Sequence, residues 1–90
     1  MLELNDIFDG DYVRPEYITQ IKNLAERHNS SFQWTYNEIG SDVREGIKYQ
    51  FPEGYVIWFI PSDGKPQNVF VSTIKLKQRL LHMVYISEMK

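Results

Sequence analysis

Polar and apolar residues alternate along two stretches of the chain, 32–36 and 47–51, and this alternation predicts two β-strands. A period of two residues is typical of a strand with one buried face. The apolar run 55–60 lies between turn-forming proline and glycine residues, so we predict a central strand that is buried on both faces. A fourth strand is predicted over roughly 67–73.

Two other stretches carry the spacing of amphipathic helices. Apolar residues recur every three or four positions over 15–28, and Pro15 suits the first turn of a helix. Residues 75–88 place apolar side chains on a broad arc that Lys77 interrupts, and we favour a helix there over a continued strand. The predicted fold is α+β: a four-stranded antiparallel meander with both helices packed on one face, in the order α-β-β-β-β-α.

The register of the meander decides which side chains share a face. We predict that Phe51 lies opposite Tyr55 across a three-residue turn and that Ile60 lies opposite Gln67. The predicted core face then collects Phe32, Trp34, Tyr36, Ile47, Tyr49, Phe51, Tyr55, Ile57, Phe59 and Phe70. The predicted opposite face carries an apolar strip of Val56, Trp58, Ile60, Val69 and Val71, with Lys48 and Gln50 at its rim.

A contiguous apolar strip of this kind is rarely left in water, because large exposed patches usually mark interaction sites. Two covers inside the molecule are available, the N-terminal segment 2–8 and the last helix. A second copy of the chain or another protein is the alternative. In this register Lys48 lies opposite Trp58, and we expect a cation–π contact between them.

Composition narrows the classes of function. The chain has 90 residues, 42% of them hydrophobic, and no cysteine, so we expect a single domain without disulfides or thiolate metal sites. Its two histidines lie on separate predicted elements, and setting Gly10 at the glycine position of a calcium loop puts Ile7 where an oxygen ligand is required. No nucleophile, phosphate loop or metal cluster stands out. We therefore expect neither a cofactor nor a bound metal, and no enzymatic activity.

Charge is distributed unevenly along the chain. The formal net charge is −2, but residues 1–45 carry four basic and nine acidic side chains (−5), whereas residues 46–90 carry six basic and three acidic ones (+3). Packing of one half on the other, head-to-tail association or a basic patch would each account for this pattern. The N-terminus does not resemble a signal peptide and no apolar run is long enough to span a membrane, so a cytoplasmic location is expected.

These observations favour a small non-enzymatic protein–protein interaction module that binds another protein or a second copy of itself through the apolar strip. Small size and the lack of recognisable chemistry suggest an inhibitor, immunity or regulatory factor of a bacterium or phage. The alternative is a nucleic-acid-binding regulator that uses the basic residues of the last helix, Lys75, Lys77 and Arg79.

Overall fold

The computed structural model describes residues 2–28, 31–37, 43–60 and 68–89, and for residues 28, 31–37 and 43–45 it describes the backbone alone. The elements in chain order are α1 (Leu4–Ile7), β1 (Phe8–Asp9), β2 (Tyr12–Val13), a 3₁₀ helix (Pro15–Tyr17), α2 (Ile18–His28), β3 (Ser31–Asn37), β4 (Val43–Phe51), β5 (Gly54–Phe59), β6 (Val69–Val71) and α3 (Ile74–Glu88).

The strands form one antiparallel sheet in the order β1-β2-β6-β5-β4-β3. Strands β3 to β6 are the predicted four-stranded meander, and α2 and α3 are the two predicted helices, so the α+β prediction is confirmed. In the part of the chain that the structure describes, the sheet has six strands rather than four, because a hairpin of two-residue strands, β1 and β2, extends it beyond β6. The turn of this hairpin contains Gly10 at a φ of 62°, a conformation that glycine adopts at low cost. The connection between β5 and β6 includes residues 61–67, which lie outside the described residues.

Both helices begin where the sequence indicates. Pro15 opens a 3₁₀ turn that leads directly into α2, consistent with its fixed φ and missing N–H. Helix α3 begins after Thr73, whose hydroxyl oxygen accepts a hydrogen bond from the Leu76 N–H at 3.1 Å. This capping bond satisfies one of the backbone donors that every helix leaves unpaired at its N-terminus.

The helices pack on one face of the sheet and form the core with it. Leu76, Leu80 and Val84 of α3 are fully buried, whereas Tyr85 of the same helix is 45% exposed. From the sheet, the core takes Tyr49, Phe51, Val56, Trp58, Val69 and Val71. From the N-terminal half, it takes Ile7, Phe8, Val13, Ile18, Ile21, Leu24 and Ala25.

The predicted register is wrong by one residue at the β4–β5 turn. Gln50 lies opposite Tyr55 and Phe51 lies opposite Gly54, so the turn has two residues rather than three. Because side chains alternate between the faces of a strand, a slip of one residue moves every β5 side chain to the other face. Val56 and Trp58 therefore lie in the core, and Tyr55 and Phe59 lie on the opposite side of the sheet.

The predicted apolar strip is consequently not a surface. Its strand residues Val56, Val69 and Val71 are at most 1% exposed, and Trp58 is 7% exposed. The last helix, α3, covers these strand residues, as one of the two expectations for cover within the molecule had it. The N-terminal segment 2–8, the other candidate, packs on the same side of the sheet. Ile60 follows the end of β5 and is 45% exposed. Phe32, Trp34 and Tyr36 were also predicted on the core face, but their side chains are not among those that the structure describes.

Candidate functional site

No described helix packs on the other face of the sheet, which we call the open face. The backbone pairings place five of its residues in one row across five strands, in the order Asp9, Tyr12, Phe70, Ile57 and Lys48. The same face also carries Gln50, Tyr55 and Phe59. The open face is thus a row of apolar residues with a carboxylate at one end and an ammonium group toward the other.

Aromatic rings form the centre of the open face. The rings of Tyr12 and Phe70 meet edge to face with their centroids 5.8 Å apart, and Tyr55 lies on the other side of Phe70 at 6.2 Å. Tyr12 is 43% exposed, while Phe70 and Tyr55 are half-buried. Aromatic side chains with an apolar ring and a polar tip are enriched in protein interfaces, so this cluster has the composition of a contact surface.

Lys48 and Gln50, predicted as rim residues, both lie on the open face. The Lys48 ammonium nitrogen is 4.3 Å from the centre of the Tyr55 ring, and the Gln50 side-chain amide donates a hydrogen bond to the Gly54 carbonyl oxygen at 3.0 Å. The expected contact of Lys48 with Trp58 is wrong, because Trp58 faces the helices and Lys22 of α2 lies 4.8 Å from its ring.

Ile57 lies on the open face between Lys48 and Phe70, and its side chain is buried. It is only 3% exposed although no described helix covers it. Gly46 lies beside it, and a Cβ atom built on Gly46 would come within 3.0 Å of the Ile57 Cγ2 and 2.9 Å of the Trp58 carbonyl oxygen. Glycine at this position lets β4 and β5 approach each other closely around Ile57.

The basic residues of α3 do not form one patch. The Lys77 ammonium pairs with the Asp11 carboxylate at 2.6 Å, and the Arg79 guanidinium contacts both carboxylate oxygens of Glu53 at 2.7 and 3.1 Å. Lys77 is two positions from both Lys75 and Arg79, and on a helix that spacing points to different sides. Two of the three predicted nucleic-acid contacts are therefore engaged in ion pairs within the chain.

The ion pair between Arg79 and Glu53 belongs to a polar network that joins the β4–β5 turn to α3. Hydrogen bonding from Arg79 lowers the pKa of the Glu53 carboxyl group below its ordinary value. The Thr73 hydroxyl also donates to the Glu53 carbonyl oxygen at 2.7 Å, and Tyr55 N–H donates to the Ser72 hydroxyl at 2.9 Å. These bonds fix the end of the sheet against the start of the helix, which is a structural role.

A second polar contact lies under α2. The Tyr49 hydroxyl donates to the Glu26 carboxylate at 3.3 Å, and burial, together with the Glu26 charge, raises the pKa of Tyr49. This pair holds α2 against β4. Within the described ranges, no group of three or more histidine, aspartate or glutamate side chains is placed to hold a metal ion.

The residues of the open face that sequence reasoning missed as contacts are Tyr12, Tyr55 and Phe70. The signal that could have found Tyr55 and Phe70 is the β4–β5 turn: two-residue loops are the commonest connection in β-hairpins, and a two-residue turn at Pro52 and Glu53 gives the observed register. The described helices include none that is long and apolar enough to cross a membrane. Comparisons with protein-family models, with curated proteins and with solved structures found no match.

Proposed function

We propose that this chain is a small non-enzymatic module that binds another protein chain through the open face of its sheet. The observation that carries the proposal is the aromatic cluster of exposed Tyr12 and half-buried Tyr55 and Phe70, on a face that the described helices leave uncovered. An inhibitory, immunity or regulatory role, in a bacterium or phage, is the form of activity that we propose for such a module.

The composition of the face supports a protein partner. Tyrosine and phenylalanine supply large contact areas with few rotatable bonds, so little conformational entropy is lost when they are buried in an interface. Lys48 and Gln50 add polar groups beside the rings, in the arrangement of an apolar centre with a polar rim. We therefore keep the proposal of a protein-binding module that the sequence suggested. Its apolar contact residues are now Tyr12, Tyr55 and Phe70 instead of the predicted apolar strip.

Nucleic-acid binding is the second candidate that the sequence offered, and the ion pairs of Lys77 and Arg79 weigh against it. Phosphate binding by these side chains would require that they leave Asp11 and Glu53. If the chain bound nucleic acid through α3, affinity for a random oligonucleotide would fall steeply with salt. We expect no such binding above background in 150 mM salt.

A photo-cross-linking experiment tests the proposed face directly. The photoreactive residue benzoylphenylalanine replaces Tyr12 in one variant and Tyr85, on α3, in the other. The two tyrosines are a matched pair because they are 43% and 45% exposed. Each variant is produced at native level in the organism from which the chain comes, illuminated, and resolved by mass.

We expect a discrete protein adduct when the photoreactive residue is at position 12 and none, or only diffuse background, when it is at position 85. Adducts at position 85 alone would refute the proposal, because the outer surface of α3 would then be the contact surface. Equal adducts at both positions would refute it as well, since they would show no preference for the open face.

A further inference from the structure

The two edges of the sheet differ in length. One edge is β1, a strand of two residues, and the other is β3, a strand of seven residues. Among the residues that the structure describes, no strand pairs with the outer edge of β3. An edge of this length offers a row of backbone donors and acceptors to another chain, and proteins usually protect such edges by short strands, proline or charged side chains.

The sequence of β3 contains none of these protective features. Ser31–Asn37 includes no proline, no glycine and no charged residue, and four of its seven residues are phenylalanine, tryptophan, threonine or tyrosine, which favour strands. We infer that the outer edge of β3 pairs with β3 of a second copy of this chain, as antiparallel strands related by a two-fold axis. The inference goes beyond the proposed function, because it concerns a different surface.

The hydrogen bonds of β5 show which of its backbone groups face each neighbour. The Phe59 N–H donates to the Asn68 carbonyl oxygen at 3.0 Å. The Ser72 N–H donates to the Tyr55 carbonyl oxygen at 3.0 Å. Consecutive residues of an antiparallel strand direct their backbone groups to opposite sides. The odd-numbered residues of β5 therefore face β6, and the even-numbered residues face β4.

The same alternation continues from β5 through β4 to β3. Trp58 lies opposite Ile47, so the odd-numbered residues of β4 bond to β5 and the even-numbered residues bond to β3. Gly46 lies opposite Trp34, so the even-numbered residues of β3 bond to β4. The backbone groups at the outer edge belong to the odd-numbered residues of β3: Ser31, Gln33, Thr35 and Asn37.

Two copies of this edge match each other when the strands overlap fully. If Trp34 lies opposite its own counterpart, Gln33 lies opposite Thr35, and Ser31 lies opposite Asn37. Outward-directed groups then meet outward-directed groups in four pairs, which form about eight backbone hydrogen bonds. No like charges meet, because the strand has no charged residue. A register shifted by two residues would leave part of each strand unpaired.

The symmetry of this pairing keeps it apart from the open face. The two-fold axis is perpendicular to the sheet, so both copies have their helices on one side of a continuous sheet and their open faces on the other. The dimer does not use the open face, and a partner protein can bind there. A contact made by one strand of seven residues is smaller than a standard interface. We expect a reversible dimer with a dissociation constant on the order of micromolar or higher.

Paired substitutions at positions 33 and 35 test the edge and its register. Gln33→Lys with Thr35→Lys places like charges opposite each other twice, whereas Gln33→Glu with Thr35→Lys places opposite charges together twice. Sedimentation equilibrium is measured for wild type and both double variants up to about 1 mM. We expect association of the two-lysine variant to weaken by about tenfold and association of the glutamate–lysine variant to equal or exceed that of wild type.

Net charge does not explain the expected difference. The two-lysine variant changes the formal charge of the chain from −2 to 0 (−2 + 2), so general repulsion between copies decreases. The glutamate–lysine variant keeps the charge at −2 (−2 − 1 + 1). Weaker association of the less charged variant would therefore reflect the pairing of positions 33 and 35.

A proline substitution provides a second test of the same edge. Thr35→Pro removes an N–H that the proposed dimer uses and that the pairing with β4 does not. We expect the monomer to fold, as circular dichroism would show, and the dimer to be lost. Lys75→Glu, on the exposed part of α3, is the control and is expected to leave association unchanged.

A wild-type chain that stays monomeric up to about 1 mM would overturn the inference. So would a dimer that the two-lysine variant forms as well as wild type does, since it would use another surface. Equal weakening by both double variants would contradict the full overlap. Cross-linking from position 12 is a separate measurement: its failure would remove the proposed function without affecting the dimer, and a monomeric chain that cross-links there would do the reverse.

Discussion

Replacement of Trp58 by alanine is expected to remove much of the stability of the fold, and it separates the observed register from the one expected from the sequence. Trp58 is 7% exposed and contacts α2 through Lys22, whose ammonium lies 4.8 Å from the ring. If β5 were shifted by one residue, the same side chain would lie on the open face. Its truncation would then cost little.

The expected loss follows from burial. Truncation of a buried phenylalanine or tryptophan to alanine costs about 3–5 kcal/mol, and loss of the cation–π contact adds about 0.5–1 kcal/mol. A small domain has only about 5–15 kcal/mol of stability in total. Tyr12→Ala is the comparison on the open face, where loss of an exposed ring contact costs about 0.5–1.5 kcal/mol.

Urea unfolding followed by circular dichroism measures both variants. With a slope of about 1 kcal/mol per molar urea, the difference of about 3 kcal/mol between them corresponds to midpoints about 3 M apart. Unfolding is to be measured at low micromolar concentration so that self-association does not contribute. Equal midpoints for the two variants, or a lower midpoint for Tyr12→Ala, would refute the assignment of faces.

Three further predictions concern other contacts. Gly46→Ala should lower the free energy of unfolding by about 1–3 kcal/mol, because the new methyl group would press on Ile57, and urea midpoints test this against wild type. Thr73→Ala should lower the free energy of unfolding by about 1 kcal/mol, because it removes the N-terminal cap of α3. Thr73→Ser keeps the hydroxyl group and should retain most of that free energy. Equal losses for the two variants would argue against capping. Because Arg79 lowers the pKa of Glu53, the ionised carboxylate stabilises the folded state above its ordinary pKa of 4.5, and this contribution is lost as the pH falls below that value. Melting temperatures between pH 7 and pH 3 should therefore fall less steeply for Glu53→Gln than for wild type, and parallel curves would contradict the role of this ion pair.

The fold could be predicted from the sequence where the apolar pattern is long. The alternation over residues 47–51 and the helical spacing over 15–28 and 75–88 extend through several turns or pleats, so the fold class and the helical state of the last segment follow from them. The hairpin of β1 and β2 could not be found in this way, because strands of two residues carry no period. Only Gly10 between two aspartates marks its turn.

The candidate site was harder to predict, because it depends on a single residue of register. An apolar run such as 55–60 has no polar face, so periodicity does not say which of Tyr55 or Val56 points toward the helices. The turn at Pro52 and Glu53 decides this, and its length was misjudged by one. Lys48 and Gln50 alternate in a strand with a clear polar face, and for that reason they were placed correctly opposite the core.

The most direct test of the open face as a contact surface compares photo-cross-linking from position 12, on that face, with photo-cross-linking from position 85, on α3; the tyrosines at these two positions are 43% and 45% exposed. The account predicts a discrete protein adduct from position 12 and only diffuse background from position 85. An adduct from position 85 alone, or equal adducts from both positions, would contradict the open face as the contact surface.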